Sequence, residues 1–134
     1  MCDFCKIADK QLPAHIVYEN QNVIAFLDYD PIHEGHTLIC PKEHTDSIDK
    51  LSEEVVLDIM KTARKLVRAF REIYGNDGYS IMQNGGKCCD YGHAHFHIFP
   101  RYDNDGFGWV YPEGESGFSE SIAGKLREQI DIVG

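Results

Sequence analysis

The sequence predicts an α+β fold built on a largely antiparallel sheet. Three observations carry that expectation. Three strand-like runs precede one long amphipathic helix, two more strand-like runs follow it, and no repeat or linker interrupts the series. At 134 residues, with 43% hydrophobic and 26% charged side chains, residues 1–134 read as one domain with a single core.

The elements follow in order. Met1 to Lys10 reads as a short segment with about one helical turn around Cys2-Asp3-Phe4-Cys5. Ile16–Glu19 and Val23–Asp28 alternate or concentrate β-formers on either side of the turn residues Asn20-Gln21-Asn22. Tyr29 to Gly35 is a loop by its Pro and Gly, and His36–Cys40 is a third strand stopped by Pro41. A helix is predicted from Ser52 to about Tyr74. Ser52 can cap it, Leu51 and Val56 fit a hydrophobic staple, and Glu53 and Glu54 suit its positive end. Val56, Ile59, Met60, Ala63, Val67, Phe70 and Ile73 form its apolar stripe, with Gly75 as the C′ residue. Tyr79–Gln83 is a fourth strand, 84–92 a loop, and the run from Gly92 to Arg101 a fifth strand. The tail from Tyr102 is rich in Gly and aromatics, with a terminal helix over Glu120–Ile132.

The net charge of −9 argues against DNA or RNA as a partner, because such binding is built on Lys and Arg contacts to phosphates. It leaves room for a small phosphorylated ligand held by local donors. No apolar stretch approaches a membrane span, the N-terminus lacks a signal-peptide core, and five cysteines do not form a disulfide framework. A reducing, cytoplasmic setting is expected.

His93, His95 and His97 alternate with Ala94, Phe96 and Ile98, so on a strand the three imidazoles share one face. With 7 histidines in the chain, this spacing arises by chance in roughly one such sequence in 50. Imidazole suits nucleophilic, acid/base and metal-binding work near neutral pH, so the trio marks a reactive site.

His93-Ala94-His95-Phe96-His97-Ile98-Phe99 resembles the signature of the histidine triad (HIT) family of nucleotide hydrolases and transferases. Phe4-Cys5-Lys6-Ile7, Tyr18-Glu19, Ala25–Asp28, Gly35-His36 and Pro41–His44 look like the family's other landmarks, in its order, over about residues 2–101. The tail 102–134 lies outside that match. The resemblance implies a five-stranded antiparallel sheet with flanking helices, and a homodimer pairing two sheets edge to edge into ten strands. It implies hydrolysis of purine nucleoside phosphoramidates or related adenosine 5′-phosphate derivatives, through a covalent nucleotidyl intermediate on the residue matching His95. His95 is then the nucleophile, and His97 a hydrogen-bond partner of a phosphate oxygen. Either flanking imidazole, if protonated, would stabilise the developing charge. The resemblance also places Asp28 on the ribose hydroxyls, Phe4, Ile7, Phe26 and Tyr29 around the purine, and Gln83 or Asn84 near the α-phosphate. Core packing is the competing role for Phe4, Ile7 and Phe26, and a strand-end turn for Asp28.

The loop departs from the family's pattern. Lys87-Cys88-Cys89-Asp90-Tyr91-Gly92 stands where many members carry Gly-Gln-Ser/Thr phosphate donors, and it is about two residues shorter. Asp90 repels a phosphate unless only its N–H faces it; Lys87 is either a replacement donor or a solvated lysine. Cys2-x-x-Cys5 resembles the N-terminal pair of some bacterial HIT proteins, in which two thiolates and two histidines hold zinc. The matching histidines are His44 and His93, giving a closed, structural Zn²⁺ site. Cys88 and Cys89 are rival ligands, free thiols are the alternative, and Cys40 fits a small buried hydrophobe. His15 and His33 are expected on the surface, and His36 in a structural hydrogen bond. The sequence leaves open whether the aromatic tail (Phe107, Trp109, Tyr111) gates the pocket. Competing functions are a diadenosine polyphosphate hydrolase, a noncatalytic nucleotide-binding module, and a metal protein in which the three triad histidines share one ion.

Overall fold

A computed structural model describes residues 1–133; Gly134 lies outside the described residues. The elements are α1 (Asp3–Ala8), β1 (Ile16–Glu19), β2 (Val23–Leu27), β3 (Thr37–Pro41), α2 (Glu53–Tyr74), β4 (Gly78–Gln83), β5 (Phe96–Arg101) and α3 (Glu120–Val133). The five strands form one sheet in the order β1-β2-β3-β5-β4, and every neighbouring pair is antiparallel. This is the expected architecture, with β5 beginning at Phe96 rather than Gly92.

The pleat sorts side chains onto two faces. Val23, Ala25, Ile39, Phe96 and Ile98 face α2, which closes over them with Leu51, Val55, Ile59, Ala63 and Phe70. Ile24, Phe26, Leu38 and Cys40 face the other way, against Phe4 and Ile7 of α1. Each large apolar side chain fully buried in these layers contributes about 1.5–3 kcal/mol.

Ser52 caps α2 by accepting from the Val55 N–H, and Gly75 ends it in the left-handed conformation at φ 57°. The buried line on α2 runs through Val55, Ile59, Thr62, Ala63 and Phe70. Met60 and Ile73, expected on the stripe, are 37% and 68% exposed. Met60 lies about 100° around the helix from that line, and Ile73 sits in the last turn. The His33–His36 turn, closed by the His36 N–H to the His33 carbonyl, carries Gly35 at φ 90°. That turn delivers His36 to the sheet.

The tail is held at its base. Asp105 accepts from the Arg101 guanidinium and the Tyr102 N–H, and Phe107 packs on Phe99. Beyond it Trp109 and Tyr111 are exposed, and α3 carries no buried residue. No helix among the described residues is long and apolar enough to cross a membrane.

Candidate active site and metal-ligand cluster

The sheet face opposite α2 holds a cleft of about 810 Å³. Its floor is Phe26, Leu38, His95 and His97, one wall is α1 with Phe4 and Ile7, and Asp28, Tyr29, His36 and Tyr91 complete its rim. The antiparallel register explains the floor, because Leu38 and Met82 stand opposite His97 on the two neighbouring strands.

Three hydrogen bonds assign the tautomers. His95 is buried, and its Nδ1 lies 2.8 Å from the His93 carbonyl. A carbonyl only accepts, so Nδ1 carries the proton and Nε2 keeps its lone pair. The Ile32 N–H donates to His36 Nδ1 at 3.0 Å, so the proton of a neutral His36 sits on Nε2. That Nε2–H reaches His97 Nδ1 at 2.9 Å, which leaves His97 Nε2–H as a donor. A nucleophilic nitrogen on His95 therefore neighbours a hydrogen-bond donor on His97, with ring centroids 5.0 Å apart.

Burial, together with the nearby His95 and His36, pushes the His97 pKa down to about 4. The donor at neutral pH is thus a neutral imidazole rather than an imidazolium. Burial likewise lowers the pKa of His36, against the pull of Asp28, whose Oδ2 is 3.4 Å from His36 Nε2. A histidine with a depressed folded pKa adds stability that is fully present above its unfolded value near 6.5. That stability is lost as pH falls toward the folded value. The wild type is expected to lose up to about 1.4 kcal/mol per pH unit relative to His97→Gln between pH 6.5 and 4. Urea unfolding of both proteins across that window checks it, and a pH-independent difference contradicts it.

His93 does not flank His95 in the cleft. Its Nε2–H donates to the Pro41 carbonyl at 2.8 Å, turning Nδ1 toward Cys2, Cys5 and His44. The sulfurs of Cys2 and Cys5 lie 3.4–3.5 Å from the Nδ1 atoms of His44 and His93, and those two nitrogens are 3.2 Å apart. A tetrahedral zinc with S and N ligands has S···N edges of about 3.6 Å and N···N edges of about 3.3 Å. The donor set fits such an ion. His93 Nδ1, left as a lone pair by the Pro41 bond, has only these donors to face. Cys88 and Cys89 are not in the cluster, and Cys40 is buried in the sheet. Among the described residues the triad histidines do not converge on one ion. His93 joins the cysteines, and His97 joins Asp28 and His36.

The structure brings Phe4, Ile7, Phe26, Asp28, Tyr29, His95 and His97 to the cleft. Phe4, Ile7 and Phe26 also pack in the core, so their two candidate roles coincide at one wall. Gln83 and Asn84 do not line the cleft. Gln83 pairs with Phe96, which points to α2, and its amide donates to the Asn84 carbonyl; Met82 takes the cleft side. His33 is no free surface group either, since its Nε2 lies 3.0 Å from Asp105. His15 lines the cleft, and Phe107, Trp109 and Tyr111 do not. His36 and Tyr91 went unassigned to the site at the level of sequence. The signal for His36 was its position two residues before Leu38, on the face it shares with His97.

The chain matches the HIT domain over residues 9–104 and belongs to the HIT family. A crystal structure of a HIT family protein from Bacillus anthracis is similar with a TM-score of 0.85 and 32% identity, covering 99% of this chain and 96% of that one. A crystal structure described as a Zn-bound histidine triad family protein from Mycobacterium smegmatis has a TM-score of 0.74 and 30% identity, covering 99% and 97%. An adenosine 5′-monophosphoramidase of Schizosaccharomyces pombe is 33% identical over 135 residues, 94% of this chain and 98% of its own.

Proposed function

We propose that the protein hydrolyses purine nucleoside phosphoramidates, with adenosine 5′-phosphoramidate as the model substrate. The observation that carries this is the pair of tautomers on the cleft floor. A lone pair on His95 Nε2 stands beside an N–H on His97, the arrangement in-line attack on phosphorus requires. His95 Nε2 bonds to phosphorus as the P–N bond breaks, and the amine leaves with a proton taken from solvent, which the water of the second step gives back. Water then cleaves the nucleotidyl-histidine, releasing AMP and restoring the lone pair. His97 Nε2–H holds a non-bridging oxygen through both steps, and the His93 carbonyl stabilises the charge that builds on His95. Asp28 suits the ribose hydroxyls, and Phe4, Ile7, Phe26 and Tyr29 offer an apolar slot for the base. The activity of the S. pombe relative supports this choice over the polyphosphate alternative.

The cysteine–histidine cluster is proposed to hold one structural Zn²⁺, placing the chain with the zinc-containing bacterial branch. Its near-tetrahedral spacing and the Zn-bound M. smegmatis neighbour support this. The ion would clip α1, and with it Phe4, to the sheet. We also propose a homodimer through β4, an edge strand carrying exposed Tyr79 and Ile81, which extends the sheet to ten strands.

Steady-state hydrolysis of adenosine 5′-phosphoramidate and of diadenosine tetraphosphate tests the substrate class. The expected kcat/KM is at least about 100-fold higher for the phosphoramidate, worth about 2.7 kcal/mol in the transition state. Preference for the tetraphosphate selects the runner-up. Binding of AMP without turnover of either selects the noncatalytic module.

A further inference from the structure

His15 and Tyr91 are side-chain donors on the cleft lining whose task is unassigned, and of the two Tyr91 is the one whose ring stands beside His95. Of loop 84–92, only Asp90 and Tyr91 line the cleft. A carboxylate at Asp90 only accepts hydrogen bonds, and Lys87 is exposed and does not line the cleft. Tyr91 is held in place from three sides. Its backbone is left-handed at φ 66°, ψ −4°, and Gly92 follows at φ 61°. Its ring lies 4.8 Å from Phe4 at an interplanar angle of 33°, and 6.4 Å from the His95 ring. Its hydroxyl meets the Tyr29 hydroxyl at 3.3 Å, across the rim.

That last contact is long for an O–H···O hydrogen bond, and Tyr29 is 88% exposed, so it is readily exchanged. The ring stands beside that of His95, so an acceptor bound over His95 competes with Tyr29 for the hydroxyl. Resting on the nucleotide reading above, we infer that Tyr91 is a specificity-determining residue whose hydroxyl donates to the nucleotide's phosphate. In that role it leaves Tyr29 and stands in for the phosphate donors that this shortened loop lacks. A neutral phenol beside a neutral His97 gives the phosphate two donors without adding a cation to the site. Both bonds reach one phosphate, whereas the base and ribose are met by other residues. The hydroxyl should therefore affect phosphorylated ligands alone.

Calorimetric titration with AMP and with adenosine tests this in the wild type, Tyr91→Phe and Lys87→Met. Tyr91→Phe keeps the ring on Phe4, so adenosine affinity is expected within twofold of wild type. AMP affinity is expected to fall about tenfold or more, the usual loss for a hydrogen bond to a charged acceptor. Lys87→Met is expected to change neither. Unchanged AMP affinity in Tyr91→Phe overturns the inference. So does a parallel loss for adenosine, which makes Tyr91 a platform for the base, and so does a loss that follows Lys87 instead. A wild type that binds neither ligand removes the nucleotide reading itself, an outcome distinct from any of these.

Discussion

Replacing His95 with glycine is expected to lower kcat/KM for adenosine 5′-phosphoramidate by about 10⁴-fold or more, with AMP affinity within a few-fold of wild type. The reason is the division of labour in the cleft. His95 Nδ1–H is committed to the His93 carbonyl, so its other nitrogen, which no hydrogen bond among the described residues engages, is available for attack. The groups suited to hold the nucleotide, Asp28, Phe26 and His97 among them, belong to other strands and loops or to the next inward position of β5. His97 is held by the His36 hydrogen bond, and the Asp28 N–H donates to the His36 carbonyl, neither of which runs through the His95 ring. Free imidazole added to His95→Gly is expected to restore part of the rate, because it refills a pocket that still positions a lone pair. Retention of more than a tenth of the wild-type rate in this variant contradicts the nucleophile assignment.

Removing the metal is expected to have the second-largest effect. Purified protein should carry about one zinc per chain, and Cys2→Ser/Cys5→Ser should carry none. The melting temperature of that variant is expected to fall by about 10 °C or more, several kcal/mol for a domain of this size. The loss has a structural path. Cys2 caps α1 through its sulfur, and the same helix supplies Phe4, whose ring stands 5.0 Å from His95 and 5.6 Å from Phe26. Releasing the cluster frees α1 and removes a wall of the cleft. Hydrogen exchange at residues 3–8 should accelerate while α2 stays protected. Metal-free wild type with an unchanged melting temperature refutes the zinc assignment.

The parts of this molecule legible in the sequence are those set by local pattern. Ser52 and Gly75 bound α2 because capping chemistry is local, the continuous apolar run Val23–Leu27 marks a strand covered on both faces, and the alternating histidines mark β5. The stripe on α2 is legible through Ile59, Ala63 and Phe70, with Val56 and Val67 packed beside them, whereas Val55 and Thr62 join the core by packing that no local pattern marks. The placing of β3 beside β5 is a long-range pairing with no local signal. Hence the His36–His97 hydrogen bond, which sets the tautomer of the cleft's donor, was hidden. The same register moves Gln83 away from the cleft, by the parity of a single residue. Tyr91 was hidden for another reason, because a bulky residue at positive φ in a loop is set by its surroundings rather than by propensity.

The proposed hydrolysis requires phosphorus to become bonded to the second of the three triad imidazoles. Protein quenched during turnover of adenosine 5′-phosphoramidate, digested and sequenced by mass spectrometry under mildly basic conditions, should show an adenylyl group on His95. The same experiment on His95→Gly should show none. An adduct on His93 or His97, or steady turnover with no adduct on a time scale that resolves the first cycle, contradicts it.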